Sequence, residues 1–386
     1  MTPGLDRSRW TKVKLGDVVR KVKTKVNPGD GSVSRYVAGE HMDTDELRIS
    51  RWGEIGDGYL GPAFHALFKA GQVLYGSRRT YLRKVAFADF DGVCANTTFV
   101  LETRDDEVLL PELLPFVMST EAFHAHSIAE SKGSVNPYVN WPDIAKYEFD
   151  LPPIEEQKRM APLLWAAERH RSAIRELSKS IETTSIALLS SLQPGGRKVR
   201  DVVKLARAGA TPLRARKDYY GGDIPWLKSG EVIGPSISTS AEKITVLGLE
   251  NSSAHLVPEG ATCVAMYGDG KTRGSVGRIS TPMATNQAVL ALVANESLCD
   301  QEFLYLWMSS RSTPLREKSA GGAQKNLNKA LVLSEPFPDV ALGEQEVIVA
   351  RYRFIDNARI NVESELRHTT SLMRALLERL IGQEEQ

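Results

Sequence analysis

The chain has 386 residues, 42% hydrophobic and 25% charged, and its 49 basic and 48 acidic side chains leave a formal net charge of +1. That length predicts two to three domains, each with its own core, and the near-zero charge argues against indiscriminate nucleic-acid binding. No apolar run approaches the ~20 residues of a membrane span, and Met1 to Val13 is polar and basic without a signal-peptide core, so a cytoplasmic protein is expected. Cys94, Cys263 and Cys299 are too few and too scattered for a disulfide framework or a metal site.

In chain order, the runs GQVLYGS (71–77), KVAFADF (84–90) and TTFVLE (97–102) are β-branched or aromatic, are bounded by Gly and Asp, and predict strands. The segment 109–131 predicts one helix, opened by acidic residues and Pro111, with Pro115 in its first turn or kinking it. After a break at FDLPPIEEQ, a helical pattern runs from about Glu155 to Leu192. Met160, Ala167, Ile174, Ile181 and Leu188 fall at seven-residue intervals there, with Leu163 and Leu177 at the intervening places. Pro194, Gly195 and Gly196 end this helix in a linker, Ser191 to Lys198. The strand-like runs ATCVAMY and QAVLALV follow, then a helix from Gln301 to Ser309, a break at FPDVALGEQ, and a second long pattern from about Glu344 to Leu380. Its register is Ile348, Ile355, Val362, Thr369 and Leu376, backed by Tyr352, Leu366, Leu372 and Met373. At 1.5 Å per residue each long helix is roughly 55 Å, and a single apolar seam of that length cannot be buried alone. The two helices are expected to pair with each other, antiparallel under a quasi-two-fold arrangement.

The order of elements repeats because the sequence does. Ala187-Leu188-Leu189-Ser190-Ser191-Leu192 returns 188 residues later as Ala375-Leu376-Leu377-Glu378-Arg379-Leu380, and Glu156-Gln157 and Phe149 return at the same offset as Glu344-Gln345 and Phe337. Upstream, Glu112 to Ser119 matches Glu302 to Ser309 at an offset of 190, the drift expected from loop insertions after duplication. The boundaries that follow are a globular part at 1–154, a helix at 155–193, a second globular part at 194–342 and a second helix at 343–386.

Comparison of the two copies removes the catalytic motifs. Gly270-Lys271-Thr272 resembles the end of a P-loop, but Ala265 stands where that loop needs glycine, and the first copy has Gly76-Ser77-Arg78-Arg79-Thr80 instead. Pro142-Asp143 with Glu156-Gln157-Lys158 fits a metal-dependent nuclease pattern, yet the second copy has Ala330-Leu331 and Glu344-Gln345-Glu346. An acidic first turn favoured by the helix dipole accounts for Glu156. Asn136-Pro137-Tyr138 lacks one proline of the adenine-methyltransferase loop, and no glycine-rich site for a methyl donor precedes it. His124 and His126, two apart on a helix, lack a third metal ligand.

What remains is binding. Arg78, Arg79, Tyr81, Arg83 and Lys84 crowd one inter-strand loop, and Lys271, Thr272 and Arg273 occupy the matching loop of the second copy. Arginine forks onto guanine edges or phosphate, and lysine supplies point charge to phosphate. Two later loops, Ser131 to Asn136 with Lys132 and Ser319 to Asn326 with Lys325, have the Gly, Ser, Asn and Lys content suited to phosphate contacts. Arg214 to Lys217 and Lys228 add a further basic segment.

LPPIEEQKRMAPLL followed by a long helix resembles the central conserved region of specificity subunits of type I restriction–modification systems. FKAGQVLYGSRRTYLRKVAF, DYYGGDIPWLKSGEV and GGAQKNLN look like segments of their target-recognition domains, and the ordered set covers essentially the whole chain. FPDVALGEQEV departs from the usual proline-rich opening of the second conserved region. The resemblance implies two α/β (α+β) recognition domains joined by two long helices, and no catalytic or cofactor site of their own. Each domain would bind one half of a split duplex-DNA target. The helices would act as spacer and dock two methyltransferase subunits carrying S-adenosylmethionine, with room for a separate motor-nuclease subunit. The competing readings are a protein-binding scaffold that never reads DNA, and a nuclease built on Glu156 and Lys158.

Overall fold

A computed structural model of the chain describes residues 7–56, 60–320 and 326–381. Two compact units divide it: Met1–Leu177 with Val362–Gln386, and Ser178–Asn361.

The first unit contains strands β1 (Thr11–Lys14), β2 (Val19–Lys21), β3 (Arg35–Val37), β4 (Gly53–Glu54), β5 (Phe64–Phe68), β6 (Val73–Gly76), β7 (Val85–Phe87), β8 (Gly92–Ala95), β9 (Thr98–Thr103) and β10 (Glu148–Leu151). Its short helices are α1 (Leu15–Val18), α2 (Leu114–Val117), α3 (Glu121–Ala129) and α4 (Trp141–Ile144), and the long helix α5 (Ile154–Ser190) leaves it. One sheet has the order β2-β9-β6-β7, a second has β4-β3-β8-β5, and β1 pairs with β10. The β-branched and aromatic run of β9 is buried on both faces, as a central strand between two layers requires.

The second unit contains α6 (Val199–Val202), β11 (Val203–Ala208), β12 (Tyr220–Leu227), β13 (Gly234–Ile237), β14 (Lys243–Ile244), α7 (Val246–Glu250), β15 (Leu256–Val257), β16 (Thr262–Ala265), β17 (Val276–Ile279), β18 (Met283–Thr285) and β19 (Val289–Ala294). Helices α8 (Gln301–Ser310), α9 (Ser312–Ala320), α10 (Lys329–Leu333) and α11 (Leu342–Ile381) follow. Its sheets have the orders β11-β19-β16-β17-β13 and β14-β12-β18-β15. The two four-stranded orders of the first unit recur here with β13 added at one edge, while in place of the β1–β10 pair stands the isolated bridge between Lys198 and Pro336. Even the one parallel pair of the β4-β3-β8-β5 sheet recurs, β3 with β8 matched by β12 with β18.

The repeated Glu-Gln explains itself here. Gln157 is fully buried near the start of α5, where its amide donates to Val108 O and Pro152 O and its oxygen accepts from Leu110 N. Gln345, equally buried in α11, donates to Leu298 O and Val340 O and accepts from Asp300 N. Each glutamine satisfies loop groups that neither sheet nor helix can pair, and so ties its long helix to the globular part.

The helical seam is not the heptad seam expected. In α5, Gln157, Met160, Ala161, Leu164, Glu168, Arg171 and Ser172 are buried, a stripe of period 3.6 that follows the domain surface. Met160 and Ile174 keep their expected burial, and Ala167 packs at the edge of the core. Leu163, Leu177 and Leu372 do not: they are 62%, 50% and 56% exposed. Packing on a broad globular face follows the straight-helix period, and the 3.5-residue register drifts off it. Met373, Leu377 and Ile381 of α11, with Leu376 beside them, join Met160 and Leu164 in one core, and His170 Nε2 lies 3.9 Å from Glu365, so the helices are antiparallel within this unit. In the second unit Leu189 and Val349 enter the core and Ile348 packs against it, while Ile181, Leu188 and Ile355 are half-buried. Val362, the first α11 residue of the first unit, is also half-buried.

The single helix expected over 109–131 is two pieces, α2 and α3. Thr120 is extended at φ −69°, ψ 150°, and its hydroxyl accepts from Phe123 N, which restarts the helix. Cys94, Cys263 and Cys299 are buried thiols, each pushed up to about 12 mainly by burial. No helix of the described residues is long and apolar enough to cross a membrane.

Two predictions follow from buried groups. Gln157→Ala leaves two carbonyls and an amide without partners and lowers the stability of the first unit by about 2–4 kcal/mol. In hydrogen exchange it releases the Leu110 amide and spares that of Asp300, and Gln345→Ala does the reverse. His124 is buried in α3, and burial, then the nearby Arg83, push its imidazole down to about 4 from 6.5. A depressed histidine is neutral when folded, so its contribution is complete above pH 6.5 and is lost as pH falls through 4. His124→Gln should flatten the pH dependence of stability in that window by about 3 kcal/mol, read from denaturation midpoints.

Candidate nucleic-acid interface

Strands β6 and β7 are antiparallel neighbours, and the loop between them carries the first basic cluster. Its base is pinned by Ser77, whose amide and hydroxyl both donate to Thr97 O, while Ser77 O accepts from Val139 N. Arg79 N donates to Pro137 O at 2.6 Å, and Lys132 and Tyr138 exchange both backbone bonds at 2.8 and 2.9 Å. The inter-strand loop and the 131–138 loop, separate in sequence, are therefore one ribbon in which Tyr138 lies between Arg78 and Lys132.

The side chains of this ribbon divide. Arg78, Arg79, Lys132, Val135, Asn136 and Tyr138 are exposed, and Tyr81 is 51% exposed on a single 3-10 turn, Thr80–Leu82. The Arg78 guanidinium lies 5.8 Å from the Tyr138 ring centre, Arg79 Nε donates to Asn136 Oδ1 at 2.9 Å, and Lys132 Nζ reaches Asp143 Oδ2 at 2.9 Å. The Asp143 hydrogen bond raises the Lys132 pKa. Lys84 is half-buried, donates to Gly39 O, and has its pKa lowered by burial. Arg83 points inward: its guanidinium lies between Asp45 and Glu121 instead of in solvent.

The second unit uses the same frame. Met266 N donates to Ala288 O and Met266 O accepts from Leu327 N, the bonds that Ser77 makes to Thr97 and Val139. The loop from Met266 to Ser275 joins antiparallel β16 and β17, not a strand and a helix, so Gly270-Lys271-Thr272 is no phosphate cradle of the P-loop kind. Gly268 and Gly274 sit at φ +141° and +79°, and a Cβ on Gly274 would meet Ser312 O at 2.9 Å. Lys271 is exposed, and Thr272 and Arg273 are half-buried. Arg316 of α9 donates to Arg273 O and Lys271 O, holding the loop by its carbonyls. Lys325 lies outside the described residues. Arg214 and Lys228 both pair with Glu242, and Arg214 stacks over Tyr220 and Trp226.

Val135 lies in the expected Ser131 to Asn136 loop, whereas Tyr138, just beyond it, was not expected on this surface; its signal in the sequence was Asn136-Pro137-Tyr138, which was compared with a methyltransferase motif. The nuclease residues have structural partners: Glu156 accepts from Arg9 and Trp10, Lys158 pairs with Glu155, and Asp143 holds Lys132. Among the described residues, no group of three or more His, Cys, Asp or Glu is placed to hold a metal ion.

Comparison with known proteins points the same way. The family model of the type I restriction modification DNA specificity domain matches residues 7–183 and again 196–368, once per copy. The HindI specificity subunit of Haemophilus influenzae is 20% identical over 481 aligned positions, covering 98% of this chain and 100% of the relative. The MjaIX specificity subunit of Methanocaldococcus jannaschii is 23% identical over 189 residues, 47% of this chain and 41% of the relative. Among solved structures, the type I S subunit from M. genitalium aligns over 100% of both chains with a TM-score of 0.57 at 15% identity. A chain from a study of assembly and conformational transition of a type I system aligns over 96% of this chain and 97% of that one, with a TM-score of 0.56 at 19% identity. The chain belongs to the type I restriction–modification DNA specificity family, whose members are the non-catalytic DNA-recognition subunits of these systems.

Proposed function

We propose that this specificity subunit reads a bipartite duplex-DNA target, one half-site per unit, through the basic inter-strand loop of each unit. The observation that carries this reading is the shared frame with unshared side chains. Ser77 and Met266 anchor equivalent loops by equivalent backbone bonds, yet one loop presents Arg78, Arg79 and Tyr81 and the other Lys271 and Thr272. Two readers of different base sequences need that combination: backbone bonds position, and side chains on a fixed frame discriminate. The modest net charge is tolerable where partner subunits supply part of the DNA clamp.

The same reading assigns the exposed apolar helix surfaces to two methyltransferase subunits. In the first unit these are Leu163, Leu177 and Leu372. In the second, Leu188, Val347, Ala350, Phe354 and Ile355 line a groove of about 650 Å3, with Phe354 77% exposed. Unpaired apolar surface of this kind is characteristic of a protein-docking face. S-adenosylmethionine belongs to those partners, a motor-nuclease subunit can join them, and the assembly works on DNA in the cytoplasm.

Binding by the assembled complex tests the DNA assignment. Arg79→Ala is expected to lower discrimination in one half-site by about 1–3 kcal/mol and leave the other intact. Lys271→Ala is expected to weaken binding to every duplex and flatten the salt dependence by about one unit of slope. Unchanged affinity and discrimination after substitution of both loops would overturn the assignment. Native mass spectrometry of the co-expressed complex tests the docking: Phe354→Glu and Leu163→Glu should each remove one methyltransferase subunit, and the double variant both.

A further inference from the structure

The loop that carries Arg78, Arg79 and Tyr81 is held in a conformation that ordinary residues avoid. Arg79 and Arg83, which flank the Thr80–Leu82 turn, both have φ +51°, and neither is glycine. Left-handed residues of this type cost on the order of 1–3 kcal/mol each and persist only where the surroundings over-determine them. The surroundings here converge on Arg83. Its Nη1 and Nη2 donate to the two oxygens of Glu121 at 2.9 and 2.8 Å, and its Nε lies 2.7 Å from Asp45 Oδ1. Its backbone completes the turn, the amide donating to Thr80 O and the carbonyl accepting from Asp45 N, where Asp45 is itself at φ +55°.

Both anchoring residues are held in turn. Glu121 opens α3, its amide donates to Glu378, and its carboxylate also meets Arg374 Nε at 3.2 Å. The Asp45 carbonyl accepts from Arg171, which is buried against Glu168 and Glu46. Arg83 is thus the point at which the reading loop is fastened to an ion network that includes both long helices of the first unit. An arginine already forked between two carboxylates is a poor DNA ligand, because leaving them strands both charges.

We infer that Arg83 is a positioning residue for target recognition: it sets the geometry of Arg78, Arg79 and Tyr81 through Asp45 and Glu121 and does not itself contact DNA. This rests on the DNA-reading assignment of the loop. The second unit meets the same need differently, with Arg316 gripping the carbonyls of Lys271 and Arg273, so the Arg83 clamp acts on one half-site only.

The test uses the chain assembled with its methyltransferase subunits. Binding is measured to the cognate duplex and to duplexes with either half-site scrambled, over a salt series. The first unit's half-site is the one whose discrimination Arg79→Ala lowers. Arg83→Met is expected to reduce discrimination of that half about tenfold or more and to leave the other half unchanged. The slope of log affinity against log salt should stay the same, whereas a lost phosphate contact reduces it by about one. Glu121→Gln, which removes no cation, should produce the same half-specific loss to a smaller degree, and the double variant should be no worse than Arg83→Met alone. If Arg83→Met prevents assembly, Glu121→Gln carries the test, because only a positioning role predicts a half-specific defect there. A slope reduced by one in Arg83→Met with Glu121→Gln unaffected, or unchanged discrimination in both, overturns the inference. Failure of the underlying assignment looks different: Arg78→Ala and Arg79→Ala would then leave discrimination intact as well.

Discussion

The structure depends on one buried amide used twice. Gln157 and Gln345 each make three hydrogen bonds to backbone groups that have no partner in sheet or helix, and each does so where a long helix leaves a globular part. A long helix with an apolar stripe can slide or rotate on the surface it covers at small cost, because dispersion and burial are not directional. Three hydrogen bonds made by a fully buried amide are directional, and losing them leaves three polar groups unsatisfied. The glutamines therefore set the axial position and rotation of each helix on its domain. Neither helix end could drift without breaking them.

From that anchor the rest of each unit follows a common plan. Asn140 and Asn328 begin the short helices α4 and α10, and the two main sheets of each unit correspond in strand order down to the parallel pairs β3–β8 and β12–β18. Onto this plan each unit adds its own loop chemistry. The first loop accepts left-handed arginines and offsets their strain with an ion cluster; the second uses glycines at positive φ and an arginine from α9. Different devices hold the two loops at the same attachment bonds, which leaves the outward side chains free to diverge without disturbing the fold. A family of sequence readers needs that separation.

The repeat, the strand-like runs, the two long helices and the position of the basic inter-strand loops were legible in the sequence, because periodicity and Gly-bounded β-branched runs are local signals. The face of the helices was not. A heptad reading of Leu163, Leu177 and Leu372 assumes that the partner is another helix, whereas α5 lies chiefly on a globular face and follows the 3.6 period of Gln157, Met160, Leu164 and Arg171. The break at Thr120 was hidden for a related reason: helical propensity continues through it, and only the cap bond to Phe123 N ends one segment and starts another. The inward turn of Arg83 had no local signal at all, since its partners Asp45 and Glu121 are 38 residues away on either side.

By itself, then, the sequence determined that there are two copies of one module, where the main strand runs and the two long helices lie, and which loops concentrate cations and aromatics. These are properties of neighbouring residues and of self-similarity, and they need no third dimension. The tertiary structure alone decided which cations face outward, that the 77–84 and 131–138 loops form one surface around Tyr138, and which helix faces stay exposed. Each of these depends on pairings between residues tens to hundreds of positions apart, and the energy of a charge or a leucine is set by what surrounds it and not by its place in the chain.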